Sequence, residues 1–451
     1  MDTLVLVLEA LVVVAAIYLG VRLGGVGLGL WGAVGVLVLV FVFHEQPGSI
    51  PWEAILVILA VITAASAMQS AGGIDYLVVL AEKVIRSRPS MVNFLAPLMT
   101  LLFCAGSGTG NIIFPLLPVI YEVSYERGIR PERPLATSVA VSGFALAASP
   151  VAAAMAAFVG LTGNRDDALS LGEILLITLP AVLLGTIVAA AVQSRVGHEL
   201  ADDPEYQRRL AEGIVAPPRS GAAGGAPATT TTTTVEPRAK RAAGVFFLGV
   251  LLVVLLGAFD GLLPSWTVDG ETVTLSLTTL LTMVMLAVAL VVMLVGQVKP
   301  ADVLDAPLTK SGLTAIIALL GIAWLANTFI SGNEDTVIGG LTDIATTYPW
   351  FLAVGLFLVA AATTSQSASV NTMIPLGMSL GLPTATLAAY LPAMGGVMTL
   401  PANGSQLAAV EIDQTGSTRI GKYVVNHSFI LPTLVMAVVS VPTALLISTL
   451  F

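Results

Sequence analysis

Apolar residues fall in long, uninterrupted runs along the whole chain. The runs cover 3–20, 23–43, 52–71, 90–105, 111–121, 134–161, 169–195, 244–263, 275–296, 311–330, 350–364, 371–381, 384–410 and 424–450. Continuous rather than alternating runs predict α-helices and exclude a transmembrane β-barrel. Most could cross a hydrocarbon core of roughly 30 Å. The short ones form two pairs, 90–105 with 111–121 and 350–364 with 371–381. Each pair is joined by small and polar residues, which predicts a helical hairpin that re-emerges where it entered.

Charge orients these elements. With both pairs as hairpins, all of the 19 Lys and Arg residues except Arg165 fall on one side of the membrane. That side is expected to be cytoplasmic. Had either pair been a full span, everything after it would flip and the bias would vanish. The expectation is an all-α polytopic membrane protein with ten transmembrane helices, two re-entrant hairpins and both termini outside. Residues 197–243 interrupt the pattern with "PPRSGAAGGAPATTTTTTVEPRAK". Pro, Gly, Ala and a six-Thr run cannot bury a core, so this segment is expected to be a flexible linker. It divides the chain into 1–196, with hairpin 90–121, and 244–451, with hairpin 350–381.

The two parts repeat. "PSMVNFLAPLMTLLFCAGSGTGNIIFP" (89–115) matches "PWFLAVGLFLVAAATTSQSASVNTMIP" (349–375), pairing Ser107 with Ser367 and Asn111 with Asn371. A long run with internal proline follows each hairpin, at 134–158 and 383–410. Because the hairpins enter from opposite sides, these are inverted-topology repeats. Inverted repeats with broken helices point to a secondary transporter with its site near the midplane. Irregular backbone at that depth must be buried in protein or line a wet cavity. Small residues also serve close helix packing, and "GGVGLGLWGAVG" (24–35), with Gly25, Gly29 and Gly32, reads that way.

The chemistry follows from helix ends. Short helices are expected to begin near Asn111 and Asn371, and half-helices at Pro150, capped by Ser149, and at Pro401. Each N-terminus carries unpaired N–H groups and roughly half a positive charge, so four together make an anion site. Apart from Arg195 at the very end of 169–195, no Lys or Arg lies within a run. Binding therefore falls to amides and hydroxyls, with Ser107, Thr109, Asn111, Ser149, Ser367, Ser369, Asn371, Thr399, Asn403 and Ser405 as candidates. Two donor clusters suit a ligand with a carboxylate at each end, although one cluster could instead hold Na⁺ near Ser107, Asn111, Ser367 and Asn371. Sodium coupling and pure substrate exchange both remain open. Glu9 is the deepest acid and the one to test for protons, unless it snorkels to the outer surface.

Composition agrees, at 56% hydrophobic and 10% charged residues. The single Cys104 excludes an intramolecular disulfide, and His44, His198 and His427 lie too far apart in sequence for a metal cluster. Residues 3–19 lack a basic leader segment and read as a retained helix. A channel would need a continuous polar path, a serine protease a His at depth, and a nucleotide loop a Gly-Lys-Ser/Thr that is absent. No nucleic-acid partner is expected.

Several stretches resemble the anaerobic C4-dicarboxylate transporter (Dcu) family along nearly the whole chain. They include "YLGVRLGGVGLG" (18–29), "AVITAASAMQSAGGIDYLV" (60–78), "GSGTGNIIFPLLPVIYE" (106–122), "LADDPEYQRRLAEG" (200–213), "GIAWLANTF" (321–329) and "DQTGSTRIGKYVVNH" (413–427). The resemblance implies exchange or uptake of fumarate, succinate, malate or aspartate across a bacterial inner membrane, with periplasmic termini and no organic cofactor. The hairpin tips are also similar to those of the wider superfamily of citrate and dicarboxylate carriers. That similarity implies a homodimer in which a transport domain, here the hairpins with 134–195 and 383–450, slides past a scaffold domain as an elevator. A Na⁺-coupled carrier of another carboxylate such as citrate, or an anion channel, is the alternative reading.

Overall fold

Helices dominate the computed structural model, which describes residues 3–23, 26–50, 52–218, 236–258, 263–268, 271–333, 350–400, 403–421 and 426–451. The first half contains α1 (Thr3–Leu23), α2 (Gly27–Val42), α3 (Trp52–Ser70), α4 (Gly73–Ser87), α5 (Val92–Ser107), α6 (Ile113–Glu126), α7 (Glu132–Phe144), α8 (Ala153–Thr162), α9 (Leu171–Gln193) and α10 (Pro204–Ala211). After it come α11 (Pro237–Ala258), an antiparallel ribbon of β1 (Ser265–Val268) and β2 (Glu271–Thr274), α12 (Leu277–Gly296), α13 (Pro300–Asp305) and α14 (Pro307–Gly332). The chain closes with α15 (Phe351–Thr363), α16 (Gln366–Ser379), α17 (Thr384–Tyr390), α18 (Gly404–Ile412) and α19 (Ile430–Ser448).

Among the described residues, seven helices are long and apolar enough to cross a membrane, or eight if the bent pair Ile55–Ser70 and Gly73–Ser87 is one span. The expected ten are not reached on length and composition. Leu4–Gly20 and Gly27–Val42 are apolar but shorter, and the run 384–410 is divided among Thr384–Tyr390, the 3₁₀ segment Leu391–Met398 and Gly404–Ile412. Conversely Pro89–Ser107 passes, although it is one arm of a hairpin.

The hairpin geometry is set by contacts at the open ends. Arg86, just before the first arm, donates to Glu122 near the end of α6 at 2.6 Å. The chain that leaves α4 therefore returns beside it. In the second hairpin a Cβ on Gly377 would meet Leu352, so the end of α16 lies against the start of α15. Both tips turn through one left-handed residue, Gly108 (φ 71°) and Thr364 (φ 50°). The 260-residue match would pair Gly108 with Ala368. The structure pairs it with Thr364, four residues earlier, about one helical turn.

Two broken elements accompany the hairpins. The first runs through α7, a 3₁₀ segment Ala145–Ala148 and α8. The second runs through α17, a 3₁₀ segment Leu391–Met398 and α18. The second half-helix of the first element begins at Ala153, not Pro150, and Ser149 Oγ accepts from Val151 N at 3.3 Å. Pro401 lies outside the described residues; the helix beyond it is capped by Asn403.

The helices fall into two groups. One holds α1, α2, α3, α11, α12 and α14; the other holds α5, α7, α9, α15, α17 and α19. In the first group α2 and α14 pack backbone to backbone. A Cβ on Gly29 would fall on the Ile317 carbonyl, and one on Gly321 on the Gly29 carbonyl. Gly25 lies outside the described residues. Glu9 does not snorkel: it is fully buried, and Asn333 Nδ2 donates to its Oε2 at 2.5 Å. Glu45 sits beside it. Burial first, then the Glu9 charge, pushes the Glu45 carboxyl above its ordinary value.

The segment 197–243 is more structured than its composition suggests. A 3₁₀ turn Leu200–Asp202 leads into α10, where Asp203 caps the helix by accepting from Glu205 N and Tyr206 N, each at 3.0 Å. Tyr206 is buried with Leu200 and Val215 against Tyr125. Arg130 pairs with both Asp203 and Glu132. The six-Thr run, within 219–235, lies outside the described residues.

Candidate functional site

A cavity of about 480 Å³ lies where the two helix groups meet. That is within the usual range of roughly 300–1,000 Å³ for small-ligand sites. Leu28, Ile62, Gly312 and Ala318 of the first group form an apolar wall. The opposite wall comes from four interruptions in the chain: both hairpin tips and both broken elements.

Each interruption presents a helix beginning. At the first tip Thr109 is the N-cap, with Oγ1 accepting from Asn111 N at 3.2 Å, and Gly110 and Asn111 line the cavity. Gly108 is required there. Its φ is left-handed, and a Cβ would strike the Val151 carbonyl of the first break. At the second tip Ser365 is the N-cap, its Oγ accepting from Ala368 N at 3.2 Å. Val151 and Ala153 bring the start of α8 to the wall, and Asn403 and Ser405 bring the start of α18. Asn403 Oδ1 accepts from Ser405 N at 3.1 Å and from Ser405 Oγ at 3.0 Å. The lining among the described residues contains no Asp, Glu, Lys, Arg or His. Any charge the site offers comes from helix ends and polar side chains.

Of the ten candidates, Thr109, Asn111, Ser367, Asn403 and Ser405 line this cavity. The other five do not. Ser107 is fully buried and its Oγ donates back to the Phe103 carbonyl at 2.6 Å. Ser369 is likewise buried, donating to Gln366 O at 2.8 Å. Ser149 is buried within the first break. Thr399 lies in the second break, where its carbonyl accepts from His427 Nε2 at 2.8 Å. Asn371 is not at a helix start. It sits one turn beyond Ser367 in α16, fully buried, with neither amide atom bonded.

Several lining residues escaped the sequence reading: Ser142, Thr314, Thr364, Ser365 and Gln366. Ser365 was detectable, since a Ser before a run of helix-forming residues is a capping signal. His427, which the sequence excludes only from a metal cluster, braces the second break, with Nδ1 accepting from Phe429 N at 3.2 Å. Burial lowers its pKa, and the bond to Thr399 only partly opposes this.

The cavity, with no charged lining residue among the described residues, is ringed by helix beginnings within a bundle of apolar helices. Two solved structures share this fold. The Alcanivorax borkumensis YdaH transporter has a TM-score of 0.57 at 16% identity, with 87% of this chain and 84% of that one covered. Neisseria gonorrhoeae MtrF, described as illuminating a class of antimetabolite efflux pumps, has a TM-score of 0.52 at 11% identity, covering 93% and 85%. The sequence is more specific. Residues 5–451 match the family described as anaerobic C4-dicarboxylate membrane transporter, and the chain belongs to that family. It is 37% identical to the C4-dicarboxylate transporter DcuA of Wolinella succinogenes over 98% of this chain and 99% of that protein. It is 34% identical to the anaerobic C4-dicarboxylate transporter DcuB of Escherichia coli O157:H7, with 96% of each chain covered. The chain is thus a multi-pass membrane protein of a transporter family, not an enzyme.

Proposed function

We propose that this protein is a secondary transporter of C4-dicarboxylates such as fumarate, succinate, malate and aspartate in a bacterial inner membrane. The observation that carries this reading is the meeting of four helix beginnings around one cavity with no charged side chain among its described lining residues. Dicarboxylates are doubly negative and short. Two sets of N–H groups and hydroxyls, one at each tip, suit a carboxylate at each end. A fixed basic side chain would hold such an anion tightly. Helix dipoles and amides bind it loosely enough to release on the other side.

The two halves act as inverted-topology repeats. The hairpins and broken elements form a transport domain that slides past a scaffold domain of α1, α2, α3, α11, α12 and α14, carried in a homodimer with periplasmic termini. Support for the sliding comes from the position of the cavity, which lies on the boundary between the helix groups rather than inside either. Sodium coupling is favoured over pure exchange by one observation, the unpartnered buried amide of Asn371 one turn from the cavity wall.

The test is uptake into proteoliposomes preloaded with fumarate, succinate, aspartate or nothing, with and without an inward Na⁺ gradient. Saturable counterflow of C4-dicarboxylates is the expected outcome. Uptake of citrate but not fumarate would replace the substrate. Flux into empty vesicles that does not saturate would mean a channel.

A further inference from the structure

Both broken elements begin on a residue that cannot cap them. Pro131 stands at the N-cap of α7 and Pro383 at the N-cap of α17, and neither supplies a side-chain acceptor. In each case the first helical N–H is met from the other half of the chain. Thr384 N donates to Asp167 Oδ2 at 2.7 Å, and Thr384 Oγ1 donates to Asp167 Oδ1 at 3.0 Å. Arg165 pairs with Asp167 at 2.7 Å and also donates to the Leu382 carbonyl at 3.1 Å. At the other end of the pair, Glu132 N donates to Ser417 Oγ at 3.1 Å. Ser417 Oγ is itself held on Asp413 Oδ2 at 2.7 Å, and Ser428 Oγ donates to Glu132 Oε1 at 2.6 Å.

The arrangement is reciprocal. Asp167 lies in the loop that follows α8, the end of the first broken element. Ser417 lies in the loop that follows α18, the end of the second. Each element therefore finishes by capping the start of the other. The Arg165 pairing first, and the two Thr384 bonds with it, keep the Asp167 carboxyl at about 2, so it stays ionised against the positive end of α17. The second 3₁₀ segment also packs on the end of α7: a Cβ on Gly395 would strike the Phe144 ring.

We propose that Asp167 and Ser417 are positioning residues that lock the two broken elements into one antiparallel body, so that both breaks keep a fixed spacing in the cavity wall while the protein works. Neither residue lines the cavity. The effect on binding rests on the transport reading above; the effect on the body itself does not. Losing a cap frays a first helical turn. Continuous helical structure from Thr384 to Met398 would carry that slack to the break beyond.

The experiment uses full-length protein with Cys104→Ala, which leaves no other thiol. Asp167→Cys and Thr384→Cys are added and joined by oxidation or by a short bis-thiosulfonate, with bridging confirmed by mass spectrometry. Reduced, this variant lacks the cap, and the KM for fumarate counterflow is expected to rise roughly fivefold, the usual weight of one N-cap. Bridged, it should recover the parent KM and continue to transport. A merely structural role would lower yield and maximal rate at unchanged KM, and Asp167→Asn, which keeps an acceptor for Thr384 N, should stay near the parent. Loss of uptake on bridging, or an unchanged KM when reduced, would overturn the proposal. Hydrogen exchange of Asp167→Ala in detergent needs no substrate. Faster exchange is expected at 384–390 and also at 403–406; acceleration confined to 384–390 would overturn the proposal even if fumarate is not the substrate.

Discussion

Asn371 and Asn111 occupy matching places in the repeated sequence and unlike places in the fold. Asn111 is exposed to the cavity at a helix start. Asn371 is sealed inside α16 with both amide atoms unbonded. A buried polar group left unsatisfied costs roughly 1–3 kcal/mol. Asn371→Ala should therefore melt at the same temperature as the parent or higher, yet lose uptake if the amide serves a coupling ion. Asn111→Ala should raise the substrate KM with little change in melting. Normal uptake in both variants would remove them from the transport cycle. The mismatch between them has a physical source. Gly108 announces the first tip, because left-handed backbone favours Gly. The second tip places Thr364 in that conformation, where β-branched residues are rare, so no sequence signal marked the turn. Ser and Asn recur on both sides of the tip and satisfied a match one helical turn away.

At the scale of elements, apolar runs located most long helices but missed those that are half polar. Helix α4 carries Asp75, Glu82, Lys83 and Arg86, which dilute its hydropathy, while Leu77, Ala81 and Ile85 are buried at a spacing of four. It bends 69° from α3 and delivers the chain to the first hairpin. Helix α10 was hidden for another reason: its neighbours in sequence are linker-like, although Asp203-Pro204 is a capping signal with Pro at the first helical position. The glycine stripe of α2 was legible, because small residues four apart let backbones touch. Gly321→Ala would place a methyl on the Gly29 carbonyl. It should destabilise the protein by about 1–3 kcal/mol, the usual cost of overpacking, read as a lower melting temperature in detergent. An unchanged melting temperature would mean that α2 and α14 separate more easily than their packing implies.

For the whole molecule, the segment between α10 and α11 is one of the three places where the chain passes between the two helix groups. Its start is anchored by Tyr206 and by the Arg130 pairs with Asp203 and Glu132. The rest is mostly Pro, Gly, Ala and Thr, and on composition alone a tether is the expected role. Deleting much of 217–236 should leave uptake intact, and loss of uptake at normal expression would show that this stretch does more than connect. Membrane residence, helical class and the small polar residues at chain interruptions could all be read from the residues alone. They depend on local quantities: hydropathy over about twenty positions and the company each polar residue keeps. Which of those polar residues share a cavity could not be read that way. Ser107 and Asn111 are one helical turn apart in sequence, yet one is spent on its own backbone and the other faces the site. That choice depends on where Val151, Asn403 and Ser365 arrive from elsewhere in the chain, and only packing brings them together.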